Sequence, residues 1–256
     1  MNPPAAKLLT AAAPEALLAQ LGRSRVEPDT VHVWAFTLEA PEPFVALCRS
    51  VLSDDERHRA DRFVFERDRI RYTVAHAVLR HLLSRYCDQR PESLSFSNTP
   101  SGKPALWTGT DRVSPLCFNL THSEDRALLG VSAGRELGID LEKVRSNIEA
   151  LAISRHYFFG SERAAIENAP PDSRDNVFFR YWVAKEAVLK AQGIGLGFPL
   201  DRFCVEFLQD DRARIQTLDP DRLEGDWTVR MLPGEASWPA AVAARGEDWD
   251  VAIEGV

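Results

Sequence analysis

The sequence predicts an α+β protein in which each half has strand-like segments around one long helix. Apolar residues recur at helical spacing from Asp68 to about Tyr86 in the first half and from about Asn176 to Gln192 in the second. Short apolar or alternating segments bounded by turn residues are typical of strands. They occupy residues 116–120, 127–132, 137–142, 203–208, 227–231 and 240–244. No Pro- and Gly-rich linker separates the halves, so we place the boundary near Gly134 and expect a tight interface.

Composition limits the classes of function. The chain has 256 residues, 45% of them hydrophobic, and a formal charge of −7, which is typical of a soluble globular protein. Net acidity argues against a nucleic-acid partner, since contacts to phosphate dominate that affinity. The four cysteines show neither CxxC pairing nor zinc-ligand spacing, which fits a reducing compartment. Pro14 and Glu15 interrupt the early apolar run and no stretch reaches membrane-spanning length, so we expect a cytoplasmic protein with no membrane partner.

The first long helix lies in an arginine-rich segment. Ser53 and Glu56 form a capping-box pattern that predicts a helix start. Cations follow at Arg57, Arg59, Arg62, Arg67, Arg69, Arg71, His76 and Arg80. Mixed charges on a helix are usually a solvated face, so a phosphate-binding role for this cluster needs support from elsewhere in the chain.

Two later segments give that support. Residues 100–104 form a turn-rich loop that carries Lys103, and such loops hold functional residues more often than core residues. Thr121 and His122 lie at the polar end of the strand predicted over 116–120. A lone histidine is more often structural than a ligand contact. A lysine, a histidine and several arginines together nevertheless suit a ligand with several phosphates.

Three carboxylates and one cation are predicted to meet at one point. Strand alternation places Asp140 and Glu142 on one face of the 137–142 strand. Helical spacing stacks Glu186 over Lys190 in the second long helix. Carboxylates at one point repel each other unless a cation lies among them, and Mg²⁺ prefers a few carboxylates together with phosphate oxygens and water. We therefore predict a Mg²⁺ site at Asp140, Glu142 and Glu186, with Mn²⁺ as the alternative ion.

The same residues carry a family resemblance. Gly138-Ile139-Asp140, followed about forty residues later by Trp182-x-x-Lys185-Glu186-Ala187-x-x-Lys190, resembles the signature of the 4′-phosphopantetheinyl transferases. Ser101–Pro104, Phe118–Ser123 and the arginine-rich helix after Ser53 resemble that family in the same order, so the likeness covers roughly residues 50 to 200. The pattern is similar to that of the two-lobed group typified by the surfactin-synthetase-activating enzyme.

The resemblance implies a fold and a division of labour. It implies a pseudo-twofold pair of small antiparallel sheets, each packed on a long helix, with coenzyme A in the cleft between the lobes. An N-terminal lobe, residues 1–134, would grip the phosphates of coenzyme A, and a C-terminal lobe, residues 135–256, would carry the metal and the catalytic carboxylates. A two-lobed chain would hold a complete site by itself, so we expect a monomer.

The implied reaction is transfer of the 4′-phosphopantetheine moiety of coenzyme A to a serine of an apo acyl or peptidyl carrier protein, with release of adenosine 3′,5′-bisphosphate. Glu186 is the family-like candidate for the base that takes the serine proton and Glu142 is the alternative, and the sequence does not separate the two. Asp140 and Lys190 would also contact coenzyme A, with Lys190 stabilising the departing phosphate. Lys185 would contact the coenzyme A phosphates from the side. Whether the carrier serves fatty-acid, polyketide or nonribosomal-peptide synthesis stays open.

The resemblance also assigns the remaining phosphate contacts. Thr121 and His122 would lie near the 3′-phosphate of coenzyme A, and Lys103 near the pyrophosphate or the 3′-phosphate. Arg59 and Arg71 would lie near the anionic nucleotide.

Two positions depart from the family pattern. Glu56 stands where the family often has a lysine, so Arg57 or Arg62 would have to replace that phosphate contact. Val183 stands where a small hydroxyl or thiol residue is common after the tryptophan. Neither departure touches a predicted metal ligand, and both therefore bear on affinity rather than on activity.

Two rival functions use the same residues. A metal-dependent phosphohydrolase would also use an Asp-x-Glu strand with a distal glutamate, but it would need a base that orients water. A non-catalytic module that binds coenzyme A or a carrier would keep the phosphate grip without needing all three carboxylates and Lys190.

Overall fold

The computed structural model describes residues 11–19, 24–99, 102–107, 115–146, 148–194, 197–209, 211–219, 221, 223 and 225–254. Its helices are α1 (Pro14–Ala19), α2 (Glu42–Val51), α3 (Asp54–Asp61), α4 (Glu66–Cys87), α5 (Ala150–Tyr157), α6 (Gly160–Asn168) and α7 (Pro171–Gln192). Its strands are β1 (Thr30–Thr37), β2 (Ser95–Asn98), β3 (Pro104–Trp107), β4 (Leu116–Ser123), β5 (Arg126–Ala133), β6 (Leu137–Leu141), β7 (Phe203–Phe207), β8 (Arg212–Thr217), β9 (Trp227–Met231), β10 (Ala240–Arg245) and β11 (Asp250–Glu254). Within these ranges no helix has the length and apolar character needed to cross a membrane.

The strands form two sheets and one short hairpin. The first sheet has the order β11-β1-β5-β4 and the second has the order β6-β10-β9-β8-β7, while β2 pairs with β3. The pairs are antiparallel except β1 with β11, which run parallel. The predicted small antiparallel sheets with long helices are confirmed, and β11 is an addition that brings the C-terminal part of the chain into the first sheet. The division near Gly134 stays a prediction.

Three apolar clusters stack the layers. Helix α4 packs on the first sheet, with Val78 and Leu82 in one cluster with Phe36 of β1. Helix α7 packs on the second sheet in another cluster. The third cluster joins the two sheets face to face, with Val33 of β1 and Ile139 of β6 among its members. Alternation allows β1 and β6 each to face two layers, so the residues of β6 between its cluster members are directed to α7.

The observed helix ends show which local sequence signals were sufficient to predict where a helix begins. The capping box is confirmed, because Ser53 Oγ accepts from the Glu56 N–H at 3.3 Å and the Glu56 carboxylate accepts from the Ser53 N–H at 2.8 Å. Helices α4 and α7 begin earlier than predicted, since their first turns are largely exposed and carry no apolar period. Helix α7 ends where Gly193 adopts φ 78°, as a C-cap glycine does.

Candidate active site

A direct backbone contact between α7 and β6 builds the site. A Cβ atom on Gly138 would lie 2.2 Å from the carbonyl oxygen of Ala187 and 2.2 Å from the amide nitrogen of Ala191. No side chain fits between strand and helix at that distance, so this position requires glycine. Asp140 follows two residues later on the same face of β6 and is therefore directed to α7 as well.

Asp140 and Lys190 form the central contact. The Lys190 ammonium donates to Asp140 Oδ1 at 2.5 Å and to Thr121 Oγ1 at 2.9 Å. The Thr121 hydroxyl lies 3.2 Å from the same Asp140 oxygen. Asp140 Oδ2 is buried and has no hydrogen-bond partner among the described residues. Burial raises the pKa of Asp140 to about 6, although the Lys190 charge acts in the opposite direction.

Glu186 lies one helical turn before Lys190 on the same face of α7. Its Oε1 atom is buried and finds no hydrogen-bond partner in the described part of the chain. Burial and the neighbouring Asp140 charge raise the pKa of Glu186 to about 7, while Lys190 opposes the shift and Glu142 adds to it. A carboxyl group with this pKa changes protonation near neutral pH, as proton transfer under those conditions requires.

Glu142 directly follows β6 and is held by two polar groups. Ser123 Oγ donates to Glu142 Oε2 at 2.7 Å, and the Arg145 guanidinium lies 3.6 Å from the same oxygen. Our sequence analysis missed Ser123. The available signal was alternation, because Ser123 stands two residues after Thr121 on the same face of β4.

The three carboxylates suit a hard cation by their donor chemistry. Asp140 Oδ2 and Glu186 Oε1 are buried carboxylate oxygens without partners, which is the kind of ligand that Mg²⁺ takes. As the side chains lie, no group of three or more His, Cys, Asp or Glu residues in the described ranges is arranged to hold a metal ion. Lys190 supplies the positive charge at Asp140 instead. The donor chemistry of the three residues therefore fits Mg²⁺, whereas their present positions pair Asp140 with Lys190 and do not gather three ligands.

A histidine and an arginine lie beside the carboxylates. His122 is exposed at the end of β4. Desolvation lowers the pKa of His122, and the charges of Lys190, His76 and Arg71 lower it further. Arg71 Nε is buried without a hydrogen-bond partner among the described residues, and its NH1 atom is 3.5 Å from Glu124 Oε2. The structure thus brings His122 close to Arg71, in a positive field that favours an anion, whereas Thr121 lies on the other face of β4 and contacts Asp140 and Lys190.

Glu56, at one of the two positions that depart from the family pattern, has a structural set of partners. It accepts from Arg80 Nε at 2.7 Å and lies 3.2 Å from His76 Nδ1, in addition to capping α3. Burial alone would raise the pKa of Glu56, but hydrogen bonds from His76, Arg80 and the Ser53 N–H lower it to about 2. Arg80 is buried and also donates to two backbone carbonyls, so it is part of the core rather than of a phosphate grip.

The other arginines of this segment divide into two groups. Arg57 pairs with Asp54 at 2.6 Å and donates to a backbone carbonyl, so it is engaged within its own helix turn. Arg59 and Arg62 are exposed and line an open cleft together with Phe63. The Arg59 guanidinium lies 5.8 Å from the ring of Tyr72, which stacks on His76. Of the two substitutes considered for the missing lysine, only Arg62 faces open space.

Lys185 and Lys103, both predicted to contact phosphate, direct their amines into the interior of the protein. The Lys185 side chain is fully enclosed, 2.9 Å from Glu162 Oε2 and within hydrogen-bond distance of the carbonyls of Leu200 and Phe203. An amine with no exposure has no room for a phosphate, so the prediction that Lys185 contacts coenzyme A is wrong, and Lys185 belongs to the interior between α6 and α7.

Lys103 is also directed inward. Its amine donates to the carbonyl of Leu137 and lies 3.4 Å from that of Ala191, and burial lowers the pKa of Lys103. Its role toward a phosphate stays a prediction that requires the amine to leave these carbonyls. Pro100 and Ser101 of the same loop lie outside the described residues.

Comparison with known proteins agrees with this geometry. The family model described as 4′-phosphopantetheinyl transferase superfamily matches residues 136–243, and the one described as 4′-phosphopantetheinyl transferase, N-terminal, matches residues 40–133. The 4′-phosphopantetheinyl transferase HetI of Nostoc sp. is 34% identical over 86% of this chain and 90% of that protein. The 4′-phosphopantetheinyl transferase Sfp of Bacillus subtilis is 28% identical over 66% of this chain and 73% of its own. The rat L-aminoadipate-semialdehyde dehydrogenase-phosphopantetheinyl transferase is 29% identical over 84% of this chain and 75% of its own.

Proposed function

The chain belongs to the 4′-phosphopantetheinyl transferase superfamily, and from that premise we propose that it transfers 4′-phosphopantetheine from coenzyme A to a serine of an apo acyl or peptidyl carrier protein. The reaction requires Mg²⁺ and releases adenosine 3′,5′-bisphosphate. The observation that carries the proposal is the approach of Asp140, Glu186 and Lys190, with Glu142 beside them, next to a cationic surface.

The carboxylates have a clear task in this reaction. The phosphorus under attack lies in an anionic pyrophosphate, so a negatively polarised serine oxygen approaches it against charge. A Mg²⁺ ion held by Asp140, Glu142 and Glu186 would neutralise phosphate charge and polarise its oxygens. The buried, unpartnered oxygens of Asp140 and Glu186 support this assignment.

Glu186 is the better supported base. A serine hydroxyl is a poor nucleophile at neutral pH unless a neighbouring group takes its proton. Glu186 has a pKa raised to about 7 and a buried oxygen without a hydrogen-bond partner among the described residues, whereas Glu142 Oε2 is already engaged by Ser123 and Arg145. The proton therefore passes from the serine Oγ to the Glu186 carboxylate as the oxygen attacks.

Lys190 acts on the leaving group. Its ammonium reaches Asp140 and Thr121 from one helical turn beyond Glu186, so it lies beside the position of the reacting phosphate. It stabilises the charge that develops on the departing adenosine 3′,5′-bisphosphate. Thr121, His122 and Arg71 then bind the phosphates of the nucleotide end, and Arg59 contributes from the open cleft.

Two further proposals concern the whole chain. We propose lobes at residues 1–134 and 135–256, with β11 returning from the second part to complete the first sheet. We also propose a monomer, since both face-to-face sheets and both long helices come from one chain. We propose the cytoplasm as its location.

The test is intact-mass spectrometry of an apo carrier protein incubated with the purified chain, coenzyme A and Mg²⁺. We expect the carrier to gain the mass of one phosphopantetheinyl group, and Glu186→Gln to abolish the gain. The control is Glu206→Gln, which removes an exposed carboxylate on β7 and leaves transfer unchanged. Cleavage of coenzyme A without a gain by the carrier would indicate a phosphohydrolase, and binding without cleavage would indicate a non-catalytic module.

A further inference from the structure

Side chains of β4 cross to β6 at every second residue. Asn119 Oδ1 accepts from the Ile139 N–H at 2.9 Å, Thr121 contacts Asp140, and Ser123 donates to Glu142 at 2.7 Å. The two strands are edges of different sheets, so these side chains replace the missing backbone ladder between them. The two rungs after Asn119 end on carboxylates of the candidate site.

The Ser123 rung has a fixed direction. A hydroxyl has one hydrogen to donate and two lone pairs to accept with. Ser123 Oγ accepts from the Lys143 N–H at 3.2 Å, and its single hydrogen is directed to Glu142 Oε2. One hydroxyl thus ties both the side chain of Glu142 and the backbone of the next residue to the end of β4.

The Glu142 carboxylate is divided by this contact. Ser123 and Arg145 both approach Oε2, so Oε1 takes part in neither interaction. Asp140 has the same division, with Oδ1 held by Lys190 and Oδ2 left without a partner. Ligands that bind through one oxygen are commonly oriented by a hydrogen bond to the other, and loss of such a partner typically costs about 10- to 100-fold in metal affinity.

We propose that Ser123 is a positioning residue that holds Glu142 for its part in binding the cation. This inference rests on the proposed function and adds to it a residue that neither the motif nor the family resemblance assigned. Asn119, on the same strand face, accepts from a backbone N–H and serves the register of the two sheets.

The experiment measures binding of Mn²⁺, by electron paramagnetic resonance of the free ion, to the full chain with saturating coenzyme A. We expect Ser123→Ala to raise the Kd for Mn²⁺ about 10-fold or more. Ser123→Thr, which keeps the hydroxyl, should restore the Kd to within about 3-fold of the wild-type value. Asn119→Ala is the matched control, with a lower urea midpoint and an unchanged Kd for Mn²⁺.

Each outcome decides the matter. A wild-type Kd in Ser123→Ala, or equal changes in Ser123→Ala and Asn119→Ala, would overturn the positioning role while leaving transfer itself intact. A wild-type chain that binds Mn²⁺ with the expected Ser123 dependence but modifies no carrier would instead refute the proposed function and keep the inference about Glu142.

Discussion

Glu56, which contacts the 22-residue helix α4, and Glu186, which belongs to the 22-residue helix α7, are both partly buried, yet their pKa values move in opposite directions. Burial acts on both in the same sense, raising the pKa. Glu56 receives hydrogen bonds from His76, Arg80 and a backbone N–H and ends at about 2, whereas Glu186 has an unpartnered oxygen and carboxylate neighbours and ends at about 7. Satisfaction by donors, and not depth, separates a structural carboxylate from one prepared for chemistry.

The largest expected effect comes from removing the close approach that gives Glu186 its surroundings. Gly138→Ala inserts a Cβ atom 2.2 Å from two backbone atoms of α7, and backbone cannot move aside as a side chain can. We expect a loss of about 3 kcal/mol or more in the free energy of unfolding, measured by urea, together with loss of transfer. Gly160→Ala is the control, since nothing lies within 4 Å of the added atom. Equal stability of the two variants would contradict the described packing.

The second largest effect is expected from removing the charge of Glu56, the glutamate whose carboxylate is fully engaged by hydrogen-bond donors. Because the folded pKa of Glu56 lies below its unfolded value, its contribution is complete above about pH 4.5 and is lost as the pH falls toward 2. We expect Glu56→Gln to unfold more easily at pH 7 by about 3 kcal/mol and to lose this acid sensitivity, in urea titrations between pH 7 and pH 3. Glu66→Gln, which removes an exposed carboxylate of α4, should keep the stability at pH 7 and its acid sensitivity. Parallel pH dependence in Glu56→Gln and wild type would show that the donors do not stabilise the ion.

The same substitution at Glu186 should act with the opposite sign. Because the folded pKa of Glu186 lies above its unfolded value, folding is favoured below about pH 4.5 and penalised as the pH rises through 7. We expect Glu186→Gln to stabilise the metal-free chain by about 1 kcal/mol at pH 8 and by less at pH 5, from urea unfolding in EDTA. Destabilisation at pH 8 would mean that Glu186 has partners that the structure does not show.

The smallest effect is expected at Arg59, an exposed cation that lies over the ring of Tyr72 at the margin of the Glu56 network. Arg59→Gln removes a charge from the open cleft and breaks no ion pair of the described residues. We expect the KM for coenzyme A to rise about 2- to 5-fold, with kcat and the urea midpoint unchanged. Arg67→Gln, also exposed, should leave the KM unchanged. A lower kcat in Arg59→Gln would place Arg59 at the reacting phosphate instead.

The sequence predicted what depends on local periodicity. Strand alternation put Asp140 and Glu142 on one side, and the spacing of four put Glu186 over Lys190, because both relations are fixed within one element. The strands near residues 203–208, 227–231 and 240–244 followed from the same patterning, whereas β8 (Arg212–Thr217) was not predicted.

The sequence did not predict side-chain contacts that depend on tertiary structure. Lys185 and Lys190 are the same residue type on one helix, but a rotation of five residues sends one amine to Glu162 in the core and the other to Asp140. In the sequence Arg80 resembles the exposed arginines near it, because its partner Glu56 comes from another helix. Ser123 was missed because its importance lies in a contact between two sheets, which no single segment encodes.

Strand β11 sets an order on the formation of the whole molecule. It pairs with β1, joining Thr30 to Asp250 across nearly the full length of the chain. A nascent chain that has already made α4 and the β4-β5 hairpin still leaves one edge of β1 without its neighbour until β11 emerges from the ribosome. Closing so long a loop costs chain entropy before any contact repays it, so completion of the first sheet belongs to the late stages of folding. The first sheet, three of whose strands are synthesised early, is thus completed only when β11 joins it.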